Sequence, residues 1–186
     1  LLAKLCRDFP GIRFRLSSVE PTEVDEPLLA LLAGQQNFMP HLHIPLQSGD
    51  DTVLRNMNRR YRAADFSRVV ELVHQAAPHA AIGCDILSGF PGETDAAHAN
   101  TRDLLAGLPV TYLHVFPYSR RTGTPAAAMP DQVPTFAKNE RVAALRDLDR
   151  CKREAFSRRH LGSRQRILVE RHNSKTGLLQ GFSENY

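Results

Sequence analysis

At 186 residues and 42 % hydrophobic content, the chain can bury the core of one medium domain with a small appendage. Twenty-four Lys/Arg against twenty Asp/Glu leave a net charge of +4. No stretch approaches the roughly 18 unbroken apolar residues of a membrane span, and the opening LLAKLCRDFPG is too interrupted by charge to be a signal peptide.

The first residues read as helix interior and the first residue is not Met, so the chain reads as a piece of something longer. Residues 12–21 (IRFRLSSVEP) read as a strand. Residues 22–34 (TEVDEPLLALLAG) carry acidic residues early and Gly34 as a stop, which predicts a helix. A second strand and turn follow at 41–50 (HLHIPLQSGD), and 63–77 have apolar residues at helical spacing. Residues 80–94 (AAIGCDILSGFPGET) read as a strand entering a turn rich in Gly and Pro, with a helix over 95–107 and a fourth strand over 110–116. In 134–162, Val142, Leu145 and Leu148 recur at helical spacing, predicting a long helix that stops at Gly162. Strands alternating with helices predict an α/β fold with a parallel sheet. Four units cannot close a barrel, so the expectation is half of one over 1–133, a connecting helix over 134–162 and a short β segment over 163–186.

Chemistry in such folds gathers at the C-terminal ends of the strands. Those ends read Ser17-Ser18-Val19-Glu20-Pro21, Leu46-Gln47-Ser48-Gly49, Ser88-Gly89-Phe90-Pro91-Gly92-Glu93 and Phe116-Pro117-Tyr118-Ser119. Each mixes polar groups with Gly or Pro, so together they predict a polar rim around one site. The last runs on into Arg120 and Arg121, a cationic exit. His41 and His43 share a face of their strand, an arrangement able to open a metal site. They lie early in the strand, however, as does His114 in its own, and no carboxylate cluster is evident beside them. A structural role is expected and no metal site is assigned.

Three cysteines, Cys6, Cys84 and Cys151, are far apart, form no CxxC pair and suggest a reducing cytoplasm. Charge is concentrated late: residues 141–175 hold eleven Lys/Arg against four Asp/Glu. That is the footprint of a polyanion contact, or of a solvated helix face. Arg164 and Arg166, at alternate positions of SRQRILVE, are expected on one strand face opposite Ile167.

HLHIPLQSGDDTVLRNMNRRY, DILSGFPGET, LHVFPYSRRTGTPAA and RLSSVEPTEVDEPLL resemble, in order and spacing, signature segments of the radical S-adenosylmethionine methylthiotransferases. SSVEP and HVFPYSRRTGTP most resemble the branch acting on N6-threonylcarbamoyladenosine beside the tRNA anticodon. The resemblance implies a transferase of tRNA modification that uses S-adenosylmethionine and [4Fe-4S] clusters. It implies that Gly89, Gly92 and Glu93 face the adenine and ribose, that Gln47 and Ser48 face the ribose or methionine, and that Arg59 meets the methionine carboxylate. Val115, Phe116 and Tyr118 are expected to present backbone and an aromatic to the adenine, and Asp85 to point into the barrel and require a partner. Arg120, Arg121, Arg164 and Arg166 are the expected RNA contacts. The family's CxxxCxxC cluster loop is absent from this sequence, and the end resembles the first strands of the RNA-binding TRAM domain. The chain is therefore expected to be an inactive C-terminal portion of a cytoplasmic enzyme, prone to self-association. A non-catalytic RNA-binding module and a metal-dependent barrel hydrolase are the alternatives.

Overall fold

The computed structural model describes all residues, Leu1–Tyr186. Helix α1 (Leu2–Asp8) buries Cys6 and is tied to the body by Asn37, whose Nδ2 lies 3.0–3.1 Å from the carbonyls of Cys6, Phe9 and Ile12. Residues 12–20 form no regular strand, in contrast to expectation. They run beside the sheet as an outer edge and pair only in places: Phe14 bridges Phe38 in parallel, and Val19 N–H donates to His43 O.

The helix expected over 22–34 is split. Pro21–Glu23 form one 3-10 turn, and α2 (Glu26–Gly34) starts afresh with Asp25 accepting from Leu28 N–H. Pro27 explains the break, because proline is tolerated in a helix's first turn and not in its interior. Strand β1 is short (His41–His43). Beyond it the backbone still pairs, through Ile44 N–H to Gly83 O and Gln47 N–H to Asp85 O, but Pro45 has no amide to donate and Gln47 sits at φ 67°.

The helix α3 (Asp51–Asn56), missed in the sequence, is capped by the Asp50 carboxylate on the amides of Thr52 and Val53. Helix α4 (Ala63–Ala76) buries Phe66, Val69, Val70 and Val73, the stripe its periodicity predicted. Strand β2 (Ala81–Ser88) is central, with β1 and β3 (Tyr112–Pro117) parallel on either side. Between β2 and β3 lies α5 (Asp95–Gly107), capped by Thr94. After β3 come the short α6 (Pro125–Ala128) and the long α7 (Thr135–Arg159), which packs on β3.

Alternation along the strands divides the residues into two faces. Leu42, Ile44, Ile82, Cys84, Ile86, Leu113 and Val115 enter one buried cluster with Phe66, Val70 and Leu105 of the helices and Leu145 of α7. The other face carries His41 and His43, Gly83 and Asp85, and Tyr112, His114 and Phe116. A smaller cluster of Val53, Phe90, Ala97 and Tyr118 closes the loop end.

The tail is an antiparallel hairpin, β4 (Ile167–His172) and β5 (Leu179–Ser183). Arg164 and Arg166 precede β4 and do not alternate along it, and Arg166 pairs with Glu184. The chain then returns to the body. Tyr186 stacks on Tyr112 with ring centroids 5.6 Å apart and lies 5.0 Å from His41, while Asn185 reaches His160 and the carbonyl of His79.

Candidate functional site

Two layers of side chains line the open face of the sheet. The lower one is aromatic. Tyr112 lies over Gly83, where a Cβ would come within 2.0 Å of its ring, and its hydroxyl meets His41 Nε2 at 2.8 Å and His43 Nδ1 at 3.2 Å. Burial lowers the His41 pKa to about 3, aided by the nearby charges of Arg15, His43 and His114. His41 is thus a neutral hydrogen-bonding group at ordinary pH.

The upper layer is a three-strand constellation. Asp85 Oδ1 lies 2.9 Å from His43 Nε2 and 3.3 Å from His114 Nδ1. The inward Asp85 thereby finds partners, since its neighbour Ile86 points into the helix-facing core. The carboxylate absent from the linear reading around His41 and His43 is supplied by the next strand. His43, Asp85 and His114 each present a ligand atom, all within 4.8 Å of one another. From sequence alone, the early position of His43 and His114 in their strands argues for a structural role. In the sheet His114 stands level with Asp85 and His43 with Gly83, and both side chains converge on the Asp85 carboxylate.

At the rim, Gln47 adopts a left-handed backbone conformation rare for a residue with a side chain, held there by pairing on both sides with Asp85 and Leu87. Ser48 is 1 % exposed and turned away, its hydroxyl near Thr101 Oγ1 and accepting from Asp50 N–H. The rim contribution of this loop is therefore Gln47 rather than Ser48. Across it, Arg59 Nη1 lies 3.4 Å from Glu20 Oε1, both partly exposed. Glu20 ends the edge segment; its place in a strand-end motif was visible in the sequence, but its pairing with Arg59 was not. Tyr61 anchors this loop by donating to the carbonyls of Pro45 and Leu46.

The loop after β2 turns on Gly89 and Gly92, both at positive φ (79° and 82°). A side chain at Gly92 would meet only Asn56, at 3.5 Å, whereas one at Gly89 would strike Lys138. Glu93 departs from the cofactor-facing expectation. It is 6 % exposed and folds back inside the loop, accepting from Gly89 N–H at 2.9 Å and from Arg141 Nη1 at 2.8 Å. Within β3, Val115 belongs to the helix-facing core, and just past the strand Tyr118 is packed edge-on against Phe90. The aromatic exposed on the open face is instead Phe116, at 52 %. Arg120 bends over its loop and donates to Ala127 O, while Arg121 is exposed. Together with Thr122–Pro125 and Ala128, Arg120 lines an open groove of about 810 Å³.

A rim of an amide (Gln47), two carboxylates (Glu20 and Asp85), one glycine with open space beside it (Gly92), an exposed aromatic (Phe116) and a guanidinium (Arg59) fits a ligand with a ribose, a base and a carboxylate. The cysteines do not fit an iron–sulfur cluster. Cys6 and Cys84 are buried, Cys151 is exposed on α7, and none joins a convergent ligand group. No helix is long and apolar enough to cross a membrane.

Residues 1–105 match the radical SAM superfamily. The chain is 42 % identical over 161 residues to the threonylcarbamoyladenosine tRNA methylthiotransferase MtaB of Rickettsia prowazekii, covering 87 % of this chain and 38 % of that protein. It is 37 % identical to MtaB of Thermotoga maritima over all of this chain and 43 % of that one. Identity is 40 % over 169 residues to the tRNA-2-methylthio-N(6)-dimethylallyladenosine synthase of Thermobifida fusca, covering 90 % and 34 %. The chain therefore spans less than half the length of these relatives. Among solved structures, its fold resembles the radical SAM enzyme coproporphyrinogen III oxidase (HemN) of Escherichia coli, with TM-score 0.60 and 20 % identity over 76 % of this chain and 33 % of that one. It also resembles the radical S-adenosylmethionine methyltransferase TsrM of Kitasatospora setae, with TM-score 0.54 and 21 % identity over 68 % and 26 %. The parallel sheet and the extent of the family match agree: the chain belongs to the radical SAM superfamily.

Proposed function

We propose that this chain forms part of the S-adenosylmethionine-binding half of a tRNA methylthiotransferase of the threonylcarbamoyladenosine type. The observation carrying this reading is the convergence of Gln47, Asp85 and the Gly89–Gly92 turn on one rim, in a chain 37–42 % identical to enzymes of that name. Gln47 and Asp85 hold the ribose side. The glycine turn lets backbone approach the adenine, Phe116 offers it an apolar face, and Arg59 meets the methionine carboxylate. S-adenosylmethionine supplies, when bound, the radical chemistry that removes hydrogen from an adenosine carbon ahead of methylthio insertion. Cluster ligands for that chemistry come from outside these residues, so this chain alone is inactive. Arg120 and Arg121 in the loop after β3, and the exposed cations of the basic tail, Arg164 and Arg166 among them, are the groups offered to an RNA phosphate backbone. In the complete enzyme, supplied with reductant and tRNA, nucleoside digests should contain a methylthiolated adenosine and the mixture 5′-deoxyadenosine. Absence of both, with cluster and cofactor present, defeats the proposal.

A second reading has its own observation. Two histidines and a carboxylate within 4.8 Å are a sufficient donor set for a divalent metal, the chemistry of a barrel hydrolase. Equilibrium dialysis of this chain against zinc separates the two. One tight equivalent lost in both His43→Gln and His114→Gln supports the metal; weak, variant-insensitive binding removes it.

A further inference from the structure

The loop after β2 is not self-supporting. Its two glycines are at positive φ, and its only acidic side chain, Glu93, turns inward. Helix α7 supplies what stabilises it. Arg141, 9 % exposed, sends Nη1 to both Glu93 O (3.0 Å) and Glu93 Oε1 (2.8 Å), and Nη2 to Asp95 Oδ1 at 2.7 Å. Glu93 Oε1 in turn accepts from Gly89 N–H. One guanidinium thus closes the turn from its last residue to its first and fixes the start of α5. One helical turn earlier, the Lys138 stem lies on Gly89, while its Nζ reaches Tyr118 O at 3.3 Å and sits 5.8 Å from the Tyr118 ring.

We infer that Arg141, with Lys138 beside it, is a positioning residue for the cofactor: α7 clamps the loops after β2 and β3 into the shape that receives the adenine side of S-adenosylmethionine. The inference rests on the proposed function for the identity of the ligand, and on the contacts alone for the clamp. Arg141 does not reach the open face and has no part in the chemistry. A planar guanidinium suits the task, because it spans a carboxylate, a carbonyl and a second carboxylate at once, whereas an ammonium is a single point of charge.

The test uses the complete holoenzyme with S-adenosylmethionine as the probe. Arg141→Gln should raise KM for S-adenosylmethionine about tenfold, leave kcat for 5′-deoxyadenosine formation within about twofold, and speed amide hydrogen exchange in residues 88–95 but not in β1. Arg141→Lys should recover part of the KM. Because a lone buried carboxylate can destabilise the fold, the double variant Arg141→Gln/Glu93→Gln, which buries no unpaired charge, carries the same readouts. Faster exchange with an unchanged KM overturns the positioning role, as does a fall in kcat at constant KM or exchange that rises equally everywhere. A parent enzyme that makes no 5′-deoxyadenosine overturns the proposed function instead, leaving the local exchange result to decide the clamp.

Discussion

His43 Nε2 and Asp85 Oδ1 lie 2.9 Å apart although 42 residues separate them in sequence, because β1 and β2 run parallel with His43 level with Gly83. His114 reaches the same oxygen from β3. The carboxylate is thereby held from both sides while 28 % of its side chain stays open toward the rim. Asp85→Asn keeps the shape and removes the charge. In the complete enzyme it should weaken S-adenosylmethionine binding about tenfold, with the far-ultraviolet spectrum of the fold unchanged. Calorimetry of the cofactor with parent and variant decides it, and equal affinities would remove Asp85 from the site.

The lower layer predicts a pH dependence of stability. His41 is held neutral in the fold, with its pKa lowered to about 3 from an ordinary 6.5. Below pH 6.5 the unfolded chain therefore takes up a proton that the folded chain refuses, and stability falls as pH drops through the window from about 6.5 to 3. At pH 5 the loss from this one group is about 2 kcal/mol. Glu93, whose pKa burial pushes up, acts in the opposite sense as pH rises. The difference between parent and His41→Gln in urea denaturation at pH 7 and pH 5 isolates the histidine. Parallel stability curves would contradict it.

Gly83 is required by a neighbour and not by its own backbone. A Cβ there would come within 2.0 Å of Tyr112 Cζ and 2.3 Å of its hydroxyl. Gly83→Ala should destabilise the chain by about 1–3 kcal/mol through overpacking, visible as a lower thermal midpoint. The double variant Gly83→Ala/Tyr112→Leu should regain part of that loss, since the clash is with the ring.

The basic tail predicts salt-dependent RNA binding. Arg164 is free of ion pairs, whereas Arg166 pairs with Glu184, so charge reversal at 166 would set two carboxylates together. Arg164→Gln/Arg166→Gln avoids this. In the complete enzyme, the double variant should bind tRNA more weakly and reduce the slope of log affinity against log salt by about 1–2. An unchanged slope across a potassium chloride series would reduce these arginines to solvated surface.

The hairpin leaves Ile167, Leu168, Leu178, Leu179 and Phe182 exposed. Apolar residues grouped on so small an element favour association. Sedimentation of this chain should show mass rising with concentration in the micromolar range. Leu168→Lys/Leu179→Lys should shift it toward monomer.

Local sequence signals determined most elements. The apolar spacing of 63–77 and 134–162, and the strand entering its turn within 80–94, persist because each depends on neighbours within one or two turns. Residues 95–107 form a helix for the same reason, with Thr94 as the cap. The single helix expected over 22–34 is interrupted where Pro27 restarts it, although that rule too is local. The resemblance of four strand-end segments pointed to the family and to the rim.

The sequence alone could not say which way rim residues turn. Ser48, Glu93, Val115 and Tyr118 share loops or strands with Gln47, Gly92 and Phe116, yet they face Thr101, Arg141, the helix-facing core and Phe90. Orientation there depends on partners distant in sequence, Thr101 for Ser48, Arg141 for Glu93 and Phe90 for Tyr118, and no local pattern encodes them. The His43–Asp85–His114 convergence and the Arg141 clamp have the same origin. Chain order fixes what each strand carries, while the parallel register and the return of α7 across the loops decide which side chains meet.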